Sequence, residues 1–299
     1  MNDPIQGALP EAQLRRLEDR FPARVLTLAD GSSLSVRSSG PASALPLVCL
    51  HGIGSGSASW LGVAECLGPD RRLIAWDAPG YGDSSALPMA RPEGVDYAAR
   101  LGAMLDALGI ERCVLVGHSL GALMAAPAAA QNARVAALVL ISPAQGYGAA
   151  GREADRARVR SERLATLEKL GIAGLARSRS DRLVSEHAST LARQWVRWNM
   201  ARLNEGGYRQ AIELLCGGRL LESLDAIAGR IPVMVACGEQ DVVTPPASCE
   251  QVARRCGVAL ERIADAGHAS YVERPEPVAQ LLAGVLEAAL GRTSVLQPR

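Results

Sequence analysis

Five short, largely apolar runs constrain this chain more than any other feature: LPLVCLH (45–51), RRLIAWD (71–77), RCVLVGH (112–118), VAALVLIS (135–142) and IPVMVACG (231–238). Runs of this length, rich in β-branched residues and without polar alternation, read as strands buried on both faces. Helical patterns fill the intervals at 94–109, 120–131, 246–256 and 275–290. Strands alternating with helices predict an α/β fold, with a mostly parallel sheet covered by helices on both sides. RVLTLAD and SSLSVRS flank Asp30-Gly31, a strong hairpin signal that supplies an antiparallel edge. With ALERIA as a last strand, the sheet is expected to have eight strands.

Residues 144–230 break the alternation. They hold several helix-like stretches and no strong strand, with 15 Lys+Arg against 10 Asp+Glu. A basic helical block inserted between two strands is expected to form a cap, or lid, at the sheet's edge. The organisation is then an N-terminal extension (1–23), a core (24–143 and 231–299) and a cap (144–230). The extension is polar, with a short amphipathic stretch around 14–17 that could pack on the body or on a partner. A chain of 299 residues suits one large α/β domain with such an insertion. Its net charge of +1 lacks the basic footprint of a phosphate-backbone binder, so no nucleic-acid partner is expected. No apolar stretch is long enough to cross a membrane, and the N-terminus has no signal-peptide run. Seven cysteines without framework spacing or a CxxC pair suggest neither a disulfide scaffold nor a zinc site, and the expected compartment is the reducing cytoplasm.

Chemistry concentrates at Gly117-His118-Ser119-Leu120-Gly121, between the run VLV and the helix LGALMAAPAAA. A G-x-S-x-G turn from strand to helix presents its serine at the sheet's carboxyl edge, above a helix N-terminus. A serine hydroxyl needs a base to become a nucleophile, and the chain has four histidines. His118 adjoins the serine and should point away from it; His51 opens a glycine-rich loop; His187 lies in the cap as a surface residue. His268, after ALERIA, falls at the same sheet edge as Ser119 and is the expected base. Asp241, in the loop after VMVACG, is the expected acid to orient it, with Glu239 as competitor. The order Ser119, Asp241, His268 is that of α/β-hydrolases. Backbone N–H groups of Leu120 and Ile53 are the expected oxyanion donors, Ile53 lying in the loop His51-Gly52-Ile53-Gly54-Ser55-Gly56-Ser57. His51 and Gly52 head that loop, where the backbone can approach a substrate closely. Pro127 should bend or end the helix after the elbow early.

Five motifs in order carry a family resemblance: HGIGSGSASW (51–60), DAPGYGDSS (77–85), GHSLG (117–121), GEQDVVTP (238–245) and AGHASYVERPE (266–276). The chain resembles the α/β-hydrolase superfamily over about residues 24–290, and within it the small bacterial enol-lactonase, esterase and carbon–carbon hydrolase branch. The resemblance implies attack by Ser119 on a carbonyl carbon, an acyl-enzyme, and its hydrolysis by water that His268 activates, without cofactor or metal. It implies structural roles for Asp77 and Asp83. In the cap, Trp195 and Trp198 are three apart and share one helix face, where they are expected to pack the cap or line an apolar pocket for a small-molecule substrate; Arg197 is a further candidate for that pocket, and an arginine entering it would favour a carboxylate-bearing substrate.

The expected activity is cleavage of an ester or lactone of a small acid. The alternatives are carbon–carbon cleavage of a vinylogous diketone, and ligand reception without catalysis on the same fold. Many meta-cleavage hydrolases carry Asn where this chain has His118, which counts against the first alternative. The sequence is compatible with a homo-oligomer.

Overall fold

A computed structural model describes residues 9–294. Residues 1–8 of the expected extension and 295–299 of the expected core lie outside the described residues. In chain order the elements are α1 (Glu11–Arg20), β1 (Ala23–Thr27), β2 (Ser33–Ser39), β3 (Pro46–Leu50), α2 (Leu61–Leu67), β4 (Arg72–Trp76), α3 (Gly94–Ala107), β5 (Cys113–His118), α4 (Gly121–Gln131) and β6 (Val135–Ile141). An all-helical insertion follows: α5 (Glu153–Arg179), α6 (Thr190–Ala201), α7 (Glu205–Gly217) and α8 (Leu220–Asp225). The chain then returns through β7 (Val233–Gly238), α9 (Pro246–Cys256), β8 (Leu260–Ile263), α10 (Ser270–Glu273) and α11 (Pro275–Ser294).

The eight strands form one sheet in the order β1-β2-β4-β3-β5-β6-β7-β8. The hairpin β1–β2 is antiparallel and joins β4 antiparallel. All pairings from β4 through β8 are parallel.

The absence of polar alternation in the central strands has a direct cause. On β3, Val48 and Leu50 enter one hydrophobic cluster while Leu47 and Cys49 enter the other. Leu115 and Val116 divide the same way on β5, as do Leu138 and Val139 on β6. Each successive side chain meets a helix layer, so polar residues have no place there. One layer includes α3, α4 and parts of the insertion. The other includes α1, α2 and α11.

Helix α1 packs on the body, with Leu17 and Phe21 fully buried. Arg16 forks onto Glu65 of α2. Arg37 of β2 donates to the Phe21 carbonyl at 2.7 Å and to Glu18 at 2.8 Å. Helix α4 runs through Pro127 to Gln131, so the proline does not end it early. Pro127 cannot donate to the Leu123 carbonyl one turn earlier. That carbonyl faces Gly94 at the start of α3, where a Cβ would lie only 2.5 Å from it. The proline is thus accommodated by close approach of a neighbouring helix, and packing holds α4 in register. The break instead falls in α5, at Gly171, whose φ of 58° is left-handed.

Candidate active site

Ser119 stands between β5 and α4 with φ of 52°, one of only three non-glycine residues with positive φ among those described. A serine there is strained, and the surrounding structure must hold it. The Ser119 N–H donates to the Ile141 carbonyl at 3.0 Å, and the Ser119 carbonyl accepts from Ala122 at 3.0 Å and Ala144 at 3.1 Å. The flanking glycines are steric requirements. A Cβ on Gly121 would come within 2.3 Å of the Leu50 carbonyl, and one on Gly117 within 2.7 Å of the Gly121 carbonyl.

His268 lines the cavity, and Asp241 lies buried behind it. His268 Nδ1 lies 2.8 Å from Asp241 Oδ2, and both residues are buried. Asp241 Oδ1 accepts from the N–H groups of Val243 (2.8 Å) and Thr244 (2.9 Å). Burial alone would push this carboxyl up. The His268 charge and hydrogen bond, with those from Thr244 and Ser142, outweigh burial and hold it down at about 2. The carboxylate therefore accepts the Nδ1–H hydrogen bond, which leaves Nε2 as the nitrogen free to take a proton. Glu239 is exposed on its loop and makes no contact with this pair, because its side chain leaves the strand end on the solvent side. His187 is half-exposed beside Glu186.

His118, expected to point away from the serine, lines the cavity as well, and a Cβ on Gly52 would lie 3.0 Å from its Nδ1. Its Nε2–H donates to the His268 carbonyl at 2.9 Å, which fixes the tautomer, and its ring lies against His268 and Tyr271. Burial first, and the nearby His268 charge second, pull its pKa down to about 3. It is a neutral prop under the His268 loop.

The loop after β3 carries Ile53. His51 Nδ1–H donates to the Gly52 carbonyl at 2.8 Å, while His51 Nε2 accepts from the Ala78 N–H at 3.0 Å. Tyr81 donates to the Ile53 carbonyl at 3.0 Å. Both carbonyls flanking the Ile53 amide plane are thus tied down. A trans peptide points its N–H opposite its carbonyl, so anchoring the Gly52 oxygen aims the Ile53 N–H. Neither the Ile53 nor the Leu120 N–H appears in a backbone hydrogen bond among the described residues. A Cβ on Gly52 would come within 3.1 Å of the Ser119 Cβ, which places this loop directly over the serine.

A cavity of about 570 Å³ joins these parts. That volume is ordinary for a small-molecule site. Gly52, Ile53, Ser119, Leu120 and His268 line it from the core, and Arg163, Met200 and Tyr208 from the insertion. His51 does not line it: its ring sits behind the loop, tilted against Tyr81. Trp195, Trp198 and Arg197 of the cap do not line it either; of the two expected roles, the tryptophans take that of packing. Trp195 is buried in the cluster shared with α2, edge-on to Trp198. Trp198 lies under the Arg202 guanidinium. Arg197 reaches Ser180 and Asp181, each at 3.3 Å. The helix face that carries them is turned from the cavity, whereas Val196 and Met200 on the same helix face it. Asp77 accepts from Ser57 N–H (2.8 Å) and from the Ser57 and Ser35 hydroxyls (2.9 Å each), tying the Ile53 loop to β2.

Several residues at the site lie within the five motifs, which assign them no role. Thr244 Oγ1 lies 2.9 Å from Asp241 Oδ2, 3.2 Å from His268 Nδ1 and 3.0 Å from the Ser142 carbonyl. Tyr271 stacks on Trp60 and reaches Ser55 at 3.0 Å. Glu273 Oε1 accepts from Gly267 N–H at 2.9 Å, and its Oε2 from Ser185 N–H at 2.9 Å, clasping the His268 loop to the insertion. Such contacts join residues far apart in the chain, and no motif spacing encodes them.

The sequence profile of the alpha/beta hydrolase fold family matches residues 46–275, and the chain belongs to that family. It is a hydrolase of that fold. It is 28% identical over 262 residues to a putative 2-succinyl-6-hydroxy-2,4-cyclohexadiene-1-carboxylate synthase of Bacillus subtilis, covering 84% of this chain and 93% of the relative. It is 26% identical over 270 residues to 3-oxoadipate enol-lactonase 1 of Acinetobacter baylyi, covering 88% and 97%. Among solved structures, the enol-lactonase of Burkholderia xenovorans superposes with a TM-score of 0.77 at 21% identity, covering 88% of this chain and all of that one. Among the described residues, no helix is long and apolar enough to cross a membrane.

Proposed function

We propose that this protein is a serine hydrolase that cleaves an ester or lactone of a small acid through an acyl-enzyme. One observation carries the reading: Ser119, held at φ of 52°, lines one cavity together with His268, which is buried and paired with Asp241 at 2.8 Å. A strained serine beside a tautomer-fixed imidazole is the arrangement nucleophilic acyl transfer needs.

Ser119 Oγ attacks the substrate carbonyl and passes its proton to His268 Nε2. Asp241, ionised well below neutral pH, stabilises the resulting imidazolium. The Ile53 and Leu120 N–H groups receive the oxyanion. The tetrahedral intermediate collapses, His268 returns the proton to the leaving oxygen, and a water repeats the sequence to free the acid and Ser119. In a lactone the leaving oxygen stays tethered and one molecule of hydroxy or oxo acid results. The helices between β6 and β7 act as the cap that keeps bulk water from the acyl-enzyme. Relatives named as an enol-lactonase and as a carboxylate synthase are compatible with a small acidic substrate.

The test is hydrolysis of p-nitrophenyl esters from acetate to octanoate by wild type and by Ser119→Ala. Turnover that vanishes in the variant is expected; an equal rate in both would overturn the reading. Folded wild type without turnover on any ester, lactone or vinylogous ketone would favour ligand reception on the same scaffold.

A further inference from the structure

Arginine provides 31 of the 32 basic residues, so its presence anywhere says little, but its pairing is informative. Four arginines line the cavity: Arg152, Arg163, Arg179 and Arg182. Arg152 is engaged, 3.4 Å from Asp155 and stacked over the Tyr147 ring. The other three have no ion pair with any carboxylate among the described residues. Arg163 donates to the Tyr208 hydroxyl at 3.3 Å and Arg179 to the Thr166 hydroxyl at 3.3 Å, both neutral partners.

The acids of the insertion are committed elsewhere. Glu213 faces Arg160 at 2.6 Å and Arg91 at 3.9 Å. Asp181 faces Arg197 at 3.3 Å, and Glu162 faces Arg158 at 3.4 Å. Three like charges therefore share one wall, Arg163 and Arg179 half-buried in it and Arg182 at its exposed rim. Burial, then the Arg163 and Arg182 charges, hold the Arg179 guanidinium below its usual range, against smaller opposing effects of Tyr208 and the Glu162 carboxylate. Such a wall is electrostatically costly when empty and binds an anion with charge-assisted, fork-shaped hydrogen bonds. Leu175, Leu183, Met200 and Leu215 line the same cavity and suit an apolar spacer.

We propose that Arg163, Arg179 and Arg182 form a receptor for a carboxylate on the acyl portion of the substrate, so that the preferred substrates are half-esters or lactones of dicarboxylic acids. The part of this that concerns ester cleavage rests on the serine-hydrolase reading; the anion receptor does not. Ser119 and the oxyanion donors would handle one carbonyl while the arginines hold the other end. The arginines thus set specificity and register, and take no part in bond breaking.

Two measurements test this. The first compares kcat/KM for mono-p-nitrophenyl adipate and for p-nitrophenyl hexanoate, an uncharged ester of similar length. Wild type should prefer the anionic ester by about 10-fold or more at low ionic strength, with the preference shrinking as salt is added. In Arg163→Gln/Arg179→Gln the ratio should fall to about 1. The second is calorimetry of wild type and variant with the dicarboxylates glutarate to suberate and with inorganic phosphate, which needs no turnover. Dicarboxylate binding weakened about 10-fold or more in the variant supports the receptor. If the double variant misfolds by circular dichroism, the exposed Arg182→Gln and the salt dependence of wild type give the same readings. Equal ratios for both esters, or no dicarboxylate binding, would overturn the proposal. Phosphate binding more tightly than every dicarboxylate would overturn it in favour of a phosphoryl-bearing ligand. Binding that depends on the arginines, without turnover of either ester, would keep the receptor and remove the hydrolase reading.

Discussion

His51 shows how a residue outside the cavity can govern the chemistry inside it. Its ring fixes the Gly52 carbonyl and thereby the direction of the Ile53 N–H. His51→Phe keeps the contact with Tyr81 and removes both hydrogen bonds. We expect kcat to fall roughly 10- to 100-fold with KM changed little, because a misaimed donor loses mainly transition-state stabilisation. Steady-state kinetics on a reactive ester decide it, and an unchanged kcat would show that the loop holds itself. Asp241→Asn should be more severe, about 1,000-fold or more in kcat, since an amide can donate to Nδ1 and favour the wrong tautomer. Activity near wild type in that variant would reassign the acid.

At the scale of elements, the site depends on close approach between backbones. Helix α4 starts where Gly121 lets it touch the end of β3, and it carries Pro127 because α3 begins with a glycine beside it. Gly94→Ala would drive a methyl to 2.5 Å from the Leu123 carbonyl and 2.8 Å from Pro127 Cγ. The two helices must then separate, at a cost of about 1–3 kcal/mol. Urea unfolding followed by circular dichroism measures this, and a midpoint equal to wild type would mean that α3 can shift freely. The clasp from Glu273 to Gly267 and Ser185 joins insertion to core at the His268 loop, which makes the insertion part of the site's scaffold.

For the whole molecule, His118 and Asp241 contribute to the response to acid, and His51, whose pKa burial also lowers, acts in the same direction as His118. Folded His118 refuses a proton until about pH 3, whereas an unfolded chain takes it near 6.5. The unfolded state therefore binds more protons below 6.5, and stability falls by about 1.4 kcal/mol per pH unit from there downward. Asp241 works in the adjacent window. Its depressed value gives a contribution that is complete above the ordinary 3.8 and lost as pH falls through about 2. Chemical denaturation at pH 7 and pH 4.5 should show wild type losing stability across the His118 window. His118→Gln, which keeps a donor for the His268 carbonyl, should lose much less. Equal slopes in the two proteins would mean that His118 is solvated before unfolding.

The sheet was legible because burial on both faces forces apolar runs, and the elbow because its strained turn admits glycine at Gly117 and Gly121. Those constraints are local, so Ser119, Asp241 and His268 could be named from strand ends and loop order alone. Sequence could not say which side of α6 faces the cavity. Helical periodicity puts Trp195 and Trp198 together but carries no absolute direction, and packing of α6 against α10 and the turn at 57–60 turned them and Arg197 away. Nor could it foresee that α4 would pass through Pro127, which depends on a neighbour at Gly94. The charge of the cap was visible in composition, but not which arginines would lack acids. Pairing is a property of distances across the fold, and only the tertiary structure left Arg163, Arg179 and Arg182 facing the cavity without a carboxylate.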